Sequence, residues 1–238
     1  MKLYSGPLSL FARKVEIALR EKGLAFDREM VPFSQSTGYA PKHPAVLAAN
    51  PKGQVPVLID GDLTLFDSTL IIEYLEEAYP QPPLFPAGAK ARARCRLLEL
   101  TADEILLAPL RQLMHRSEPP HPDADRRRLR EVEAEGAEDK LRAHFRALEA
   151  QLAGPYFCGD FSVADIGLFM MVLYTQRLHG PGLEATPVLA QWYARVAARP
   201  AVAMAAAEIA EADRLLSPSL ARPGLGKPGA GAAPRRPG

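Results

Sequence analysis

The apolar positions of this chain change period along its length, and the changes mark out its organisation. Lys2 to Ser5 reads as a short strand, Gly6-Pro7-Leu8 as a loop, and from Phe11 to Lys22 the residues Val15, Ile17, Ala18 and Leu19 mark the buried side of a helix. Gly23 stands where a helix C-terminal cap is expected. Phe26 to Val31 predicts a second strand, and two strands joined through a helix make a right-handed parallel βαβ unit. Pro32 to Asn50 is rich in Pro, Ser and Gly; it predicts a helical turn over Pro44 to Ala49 in an otherwise mobile connection. Then two apolar runs, Val55 to Ile59 and Leu63 to Phe66, flank the turn signal Asp60-Gly61-Asp62, and the second leads directly into Ser68-Thr69-Leu70-Ile71-Ile72-Glu73-Tyr74-Leu75. That is an antiparallel hairpin followed by a helix, a ββα unit.

Past residue 80 the pattern changes. Pro80, Pro82, Pro83 and Pro86 with Gly88 form a stiff linker, so a domain boundary is expected near residue 87. Ala89 to His115 reads as one long helix or as two interrupted at Pro109. Arg126 to Leu152 predicts an amphipathic helix with Leu129, Val132, Leu141, Phe145, Leu148 and Leu152 as its buried stripe, although Gly136 weakens its middle. Ser162 suits a helix cap with Asp165 reaching back to it three residues later, and Phe161 and Ile166 stand at staple positions. The helix that follows is apolar nearly all round and is expected to be the core of the second domain. Pro187 to Arg199, around Trp192, and Ala201 to Leu215 complete the helices.

The expected fold is therefore α/β plus all-α. A βαβ-ββα domain over residues 1–80, whose layout resembles the thioredoxin fold, precedes an all-helical domain over 88–216. No Cys-x-x-Cys precedes the first helix, so dithiol chemistry of the thioredoxin kind is not expected there. From Ser217 to Gly238, Pro and Gly dominate without a period, which predicts a disordered, dispensable tail.

Composition narrows the function classes. With 238 residues and 47% hydrophobic content the chain can bury a sizeable core. No apolar run approaches the ~20 residues of a membrane span, and the N-terminus lacks the apolar region of a signal peptide, so a soluble, cytoplasmic protein is expected. The net charge of +1 depends on Arg222, Lys227, Arg235 and Arg236 in the tail; without them 25 basic residues face 28 acidic ones, a net of −3. A near-neutral body argues against nucleic acid as a partner. Cys95 and Cys158, far apart in sequence, support neither a disulfide framework nor a metal site and read as packing or surface residues.

The candidate chemistry lies in the ββα unit. Pro56 holds Val55 extended at the start or edge of a strand, where the Val55 backbone can pair with a ligand. Asp67-Ser68 stands where strand gives way to helix, so the Ser68 hydroxyl and the first helix N–H groups form an anion site, with Asp67 beside it to take an ammonium. A zwitterionic amino-acid end fits both, although each feature alone is also what an ordinary capped hairpin would show.

The succession Gly53-Gln54-Val55-Pro56, then Asp67-Ser68, then the Ile-Ile-Glu-Tyr-Leu helix, resembles the glutathione-binding half of the cytosolic glutathione S-transferase family, and the capping segment of Ser162 and Asp165 is a second point of resemblance. The resemblance spans roughly residues 1 to 215 and is of the serine type. It implies glutathione as co-substrate, with no metal, and a second, hydrophobic electrophile as the other small-molecule partner. It implies Ser9, six positions before Val15, as the hydroxyl that stabilises the thiolate, with Tyr4 and Ser5 as rivals. Lys42 would meet the glycine carboxylate, while Lys52 reads as a solvated loop charge. Gln54 would contact the peptide, Val55 would pair with the cysteine backbone, and Asp67 with Ser68 would hold the γ-glutamyl end. The second substrate would lie against the first long helix, at Leu110, Leu113 and Met114, with His115 exposed beside them. Members of the family form homodimers and serve detoxification. Its isomerases carry Ser-Ser-Cys where this chain has Ser9-Leu10-Phe11, which disfavours isomerisation and leaves dehalogenase, peroxidase or etherase variants open. The alternative is a non-catalytic domain of the same fold that binds a protein partner or acts in regulation.

Overall fold

The computed structural model describes residues 1–221. Its N-terminal part is a four-stranded mixed sheet in the order β2-β1-β3-β4, built from β1 (Lys2–Ser5), β2 (Asp27–Met30), β3 (Val57–Asp60) and β4 (Leu63–Phe66). β1 and β2 run parallel across the helix α1 (Leu10–Glu21); β3 returns antiparallel to β1 and pairs with β4 through the hairpin. Gly61, at φ 62°, is the first central residue of that hairpin turn, a place that needs a positive φ. The short helix α2 (Pro44–Ala49) and the helix α3 (Ser68–Ala78) complete a thioredoxin-like βαβ-ββα domain.

Gly23 ends α1 at φ 67°: its N–H donates to Arg20 O and that of Leu24 to Leu19 O, at 3.0 and 2.9 Å, a Schellman closure. The apolar residues of α1 pack on the sheet and α3 as the periodicity predicts, but the helix keeps no solvent face. Arg13, Lys14 and Glu16 are buried as well, because the helical domain packs on the other side. Burial of charge demands partners, and they are present. Glu16 accepts from Ser5 Oγ at 2.5 Å, Arg13 at 2.9 Å and Arg28 at 2.7 Å, while Glu208 receives Arg13 and Arg28.

The linker is docked rather than loose. Lys22 Nζ donates to Glu76, to Tyr79 O and to Pro82 O, and Leu84 N–H donates to Glu76. The helical domain then comprises α4 (Ala89–Leu100), α5 (Leu107–Leu113), α6 (Ala124–Glu149), α7 (Val163–Arg177), α8 (Pro187–Ala197) and α9 (Pro200–Leu216). α7 is its nearly all-buried centre. Asp165 at its start accepts from Ser162 N–H and Ser162 Oγ, both at 3.0 Å, from Phe157 N–H at 3.1 Å and from Trp192 Nε1 at 2.8 Å.

Several expectations change here. Pro109 does not interrupt its helix; the irregularity lies upstream, where Thr101–Leu106 forms a π-helical stretch joining α4 to α5. A proline cannot donate to the carbonyl four residues back, here Ile105, and the widened turn next to it absorbs that loss. Leu129 and Val132 are exposed, Val132 on the open groove between α6 and α5 where it faces Pro109 and Gln112. The buried stripe of α6 begins at Ala134. Cys95 is buried on α4, and Cys158, ahead of α7, is half-buried against the same core. Pro218–Ala221 is a 3₁₀ turn that docks: Gln35 Nε2 donates to Ser217 Oγ at 2.8 Å, and His179 Nε2 to Leu220 O at 3.0 Å. The remainder of the expected tail, residues 222–238, lies outside the described residues.

Candidate functional site

A cleft of about 390 Å³ opens between the two domains. One wall is the loop ahead of β3 together with the β4–α3 junction, contributing Asn50, Lys52, Gln54, Val55, Pro56, Phe66, Asp67, Ser68 and Thr69; the other is the helical run that carries Glu99, Leu100, Asp103, Glu104, Leu107, Ala108 and Arg111. From α1 only Phe11 lines it.

The loop is shaped by Asn50, itself buried. Its carbonyl accepts Gly53 N–H at 2.8 Å, its Oδ1 accepts Lys52 N–H at 3.0 Å, and its Nδ2 donates to Gln54 O at 2.7 Å. These bonds fold the segment back so that Lys52 and Gln54 both face the cleft. The Val55–Pro56 bond is cis, with Pro56 buried at the start of β3.

Asp67 sits at φ 77°, ψ 127°, a left-handed backbone that costs an ordinary residue on the order of 1–3 kcal/mol. Its Oδ1 caps α3, accepting Thr69 N–H at 3.0 Å and Leu70 N–H at 3.4 Å, and the cap uses this oxygen alone. Ser68, the first residue of α3, is nearly buried at the mouth of that helix. Behind them Lys14 Nζ bridges Glu99 at 2.8 Å and Asp103 at 2.8 and 2.7 Å, while Thr69 Oγ1 donates to Glu99 at 2.8 Å. Burial holds the Asp103 carboxyl above the usual range against the pull of Lys14, with Glu99 and Asp67 adding to the rise. Glu99 and Asp103 around the Lys14 ammonium, with Asp67 on the facing wall, leave this end of the cleft net negative, whereas Lys52 and Arg111 supply positive charge elsewhere on its walls.

Gln54, Val55, Pro56, Asp67 and Ser68 thus come together in one cleft, while Ser162 and Asp165 form the capping box at the start of α7. Ser9 is the N-cap of α1: its Oγ accepts Ala12 N–H at 3.2 Å, and it is not among the residues lining the cleft. A hydroxyl that accepts through a lone pair still has its proton to give. Of the rivals, Ser5 gives its proton to Glu16, and Tyr4 is buried against the His43 ring. Lys42 is exposed beside Gly53 and does not line the cleft; Lys52, expected to be a solvated charge, does.

The expected second-substrate residues are displaced. Leu110 and Leu113 are fully buried and Met114 packs against the same core, because that face of α5 meets α6 and α7. The cleft takes the other face, at Leu107, Ala108 and Arg111. His115 is half-buried, with Nδ1 donating to Gln112 O at 2.8 Å and Nε2 3.1 Å from Glu131. Two further residues carry no motif of their own: Asn50, whose position ahead of Pro51 in a turn sequence was the available signal, and Tyr39, whose buried hydroxyl lies against Gly6 without a hydrogen-bond partner among the described residues.

A thioredoxin-like sheet domain whose cleft is closed by an all-helical domain is the fold of the glutathione S-transferases. The family model described as glutathione S-transferase, N-terminal domain matches residues 3–83, and that for the C-terminal domain matches 130–195. Glutathione S-transferase 3 of Zea mays is 37% identical over 215 residues, covering 84% of this chain and 90% of that one. The chain belongs to the glutathione S-transferase family. A stringent starvation protein A homolog of Coxiella burnetii is 44% identical over 100 residues, which cover 41% of this chain and 44% of that protein, less than half its length. Among solved structures, a maleylacetoacetate isomerase of Methylobacterium extorquens AM1, with bound malonate and GSH, has a TM-score of 0.68 and 30% identity over 86% of this chain and 95% of that one.

Proposed function

We propose that this protein is a glutathione transferase in which the thiolate of bound glutathione attacks a small hydrophobic electrophile. The observation that carries the reading is the convergence of Gln54, Val55, Asp67 and Ser68 in one cleft with helical residues opposite. Val55 pairs with the cysteine backbone of the tripeptide and Gln54 contacts it. Ser68 and the N-terminus of α3 receive the γ-glutamyl carboxylate, and the negative end formed by Asp67, Glu99 and Asp103 receives its ammonium. Lys52 is nearer at hand for the glycine carboxylate than Lys42. Ser9, at the N-terminus of α1, donates its proton to the sulfur, and the helix dipole favours the same anion. The electrophile lies against Phe11, Leu100, Leu107 and Ala108. Dehalogenation, peroxide reduction and ether cleavage are variants of the same thiolate attack.

The exposed apolar side chains Leu63 on β4, Leu70 on α3 and Leu97 and Leu100 on α4 support a homodimer, with the sheet domain of one subunit facing the helical domain of the next. A monomeric mass by light scattering at micromolar concentration contradicts it. The compartment of this reading is the cytoplasm.

The similarity to a stringent starvation protein A homolog favours a second reading, a glutathione-transferase-like domain in a regulatory role. Two measurements separate them: retention on immobilised glutathione, and turnover across aryl halides, epoxides, peroxides and aryl ethers. Retention with turnover supports the transferase. Retention without turnover on any class, or no retention, supports the second reading.

A further inference from the structure

The turn from Gly6 to Ser9 presents the Ser9 hydroxyl, and its first residue is a glycine for want of room rather than for backbone freedom. Gly6 is buried and has no positive φ, unlike Gly23, Gly53 and Gly61. A Cβ at that position would overlap Tyr39 Oη and come within 2.6 Å of Tyr39 Cζ. The missing side chain is thus the seat of the Tyr39 ring edge.

Tyr39 reaches this seat on the connection between β2 and α2, which is held at several points. Ser34 and Gly38 exchange backbone hydrogen bonds at 3.0 and 2.8 Å, and the ring centroids of Phe33 and Tyr39 lie 4.8 Å apart. At the tip, Gln35 Nε2 donates to Ser217 Oγ at 2.8 Å, at the end of α9. The turn is tied by its own bonds as well: Ser9 N–H donates to Gly6 O at 3.1 Å, and Arg13 Nη2 donates to Pro7 O at 3.2 Å. The Tyr39 hydroxyl, however, is buried against Gly6 with no hydrogen-bond partner among the described residues. A buried hydroxyl without a partner costs stability, so phenylalanine would be the more stable residue here. What the oxygen supplies instead is a contact on the backbone of the turn.

We propose that Tyr39 is a positioning residue for Ser9: its hydroxyl bears on Gly6, fixes the height of the Gly6–Ser9 turn, and so keeps the Ser9 hydroxyl directed at the sulfur of bound glutathione. The inference rests on the reading of Ser9 as the donor to the thiolate. Ser9 meets the sulfur only as its turn aims it, and a hydrogen bond weakens steeply with angle, so a small tilt of the turn is enough to lose the donor.

The test uses the full chain with glutathione, as wild type, Tyr39→Phe, Ser9→Gly and the double variant, each followed by thiolate absorbance of the complex against pH and by a thermal melt. Tyr39→Phe is expected to melt at or above wild type, because it removes an unpartnered buried oxygen, while the thiol pKa of bound glutathione rises toward the free value of about 8.5. A merely structural role would leave that pKa where it was. In the Ser9→Gly background Tyr39→Phe is expected to add no further shift, since no donor is left to aim. The proposal is overturned if Tyr39→Phe titrates as wild type. It is equally overturned if its shift persists in full without Ser9, for the hydroxyl would then act on the sulfur itself. Either result leaves the transferase reading standing, whereas a wild-type complex whose thiol titrates like free glutathione removes Ser9 from its role and this inference with it.

Discussion

Replacing Ser9 separates two roles that the same oxygen can fill at once. As the N-cap of α1 its Oγ accepts Ala12 N–H at 3.2 Å, and loss of such a cap to alanine costs about 1 kcal/mol, whereas glycine costs only a few tenths. For a domain of this size 1 kcal/mol lowers Tm by roughly 2–4 °C. The thiol effect is separate. A free thiol has a pKa of about 8.5, and a hydroxyl that lowers it by roughly two units supplies about 2.7 kcal/mol of selective thiolate stabilisation. Ser9→Gly should therefore melt close to wild type and bind glutathione nearly as well, yet ionise it poorly, so that turnover at pH 7 falls by roughly 25-fold, the ratio of thiolate fractions at pKa about 6.5 and about 8.5. Ser9→Ala should share the ionisation defect and add the loss in Tm. The assay is thiolate absorbance of the enzyme–glutathione complex against pH, beside a thermal melt of each variant. An unchanged thiol pKa in Ser9→Gly would refute the role and leave Ser9 as a cap. Tyr39, whose buried hydroxyl beside Gly6 has no hydrogen-bond partner among the described residues, would then be the next group to change, since Ser5 is bonded to Glu16 and Tyr4 lies buried against His43.

Asp67→Asn keeps an oxygen for the α3 cap and removes the charge, so calorimetry should show glutathione affinity reduced by about 1.5–3 kcal/mol with little change in Tm; unchanged affinity there and in Ser68→Ala removes both from the site. Truncation after Leu216 should melt below truncation after Ala221 by several degrees, since only the former deletes the bonds of Ser217 to Gln35 and Arg177 and of Leu220 to His179; equal melting temperatures would show those contacts to be idle. Burial works to raise the Glu208 carboxyl, but Arg28 and Arg13 outweigh it and hold it below its ordinary range. Its contribution to stability is therefore complete above the unfolded value of about 4.3 and is lost as pH falls through the lower folded value. Glu208→Gln should accordingly narrow its deficit against wild type in acid, and a deficit independent of pH would count against the ion pairs.

The sheet domain was legible because its signals are local: Gly23 closes a helix, Asp60-Gly61 closes a hairpin, and its cleft-lining candidates fall in two contiguous runs, Gln54-Val55 and Asp67-Ser68. The opposite wall of the cleft was not. A periodicity argument ranks residues by hydrophobicity, so it chose Leu110 and Leu113, which the core takes, over Glu99, Asp103 and Arg111, which face the cleft. Apolar pattern also describes only one side of α1. The burial of Arg13, Lys14 and Glu16 depends on a second domain arriving on the polar side, and nothing near them in sequence announces it. Ser217 to Ala221 dock through a hydroxyl and a carbonyl, groups that leave no periodic trace.

The π-helical stretch at Thr101–Leu106 carries one residue more than a regular helix with the same two faces would need. Glu99, Asp103, Leu107 and Arg111 all face the cleft, one residue in every four. A regular helix turns about 100° per residue, so each step of four would overshoot by about 40°, and three steps would carry the row about 120° away. The wider turn takes up most of that excess. Deleting a single residue from this stretch would restore a regular helix with 11 steps from Glu99 to Arg111, about 1,100° or three turns and about 20°, so Leu110 and Leu113 would stay in the core and Arg111 in the cleft. The same deletion in the regular helix on either side would rotate everything after it by about 100° and move two surfaces together, so the stretch is the one place in this run where a residue can be lost without a change of phase.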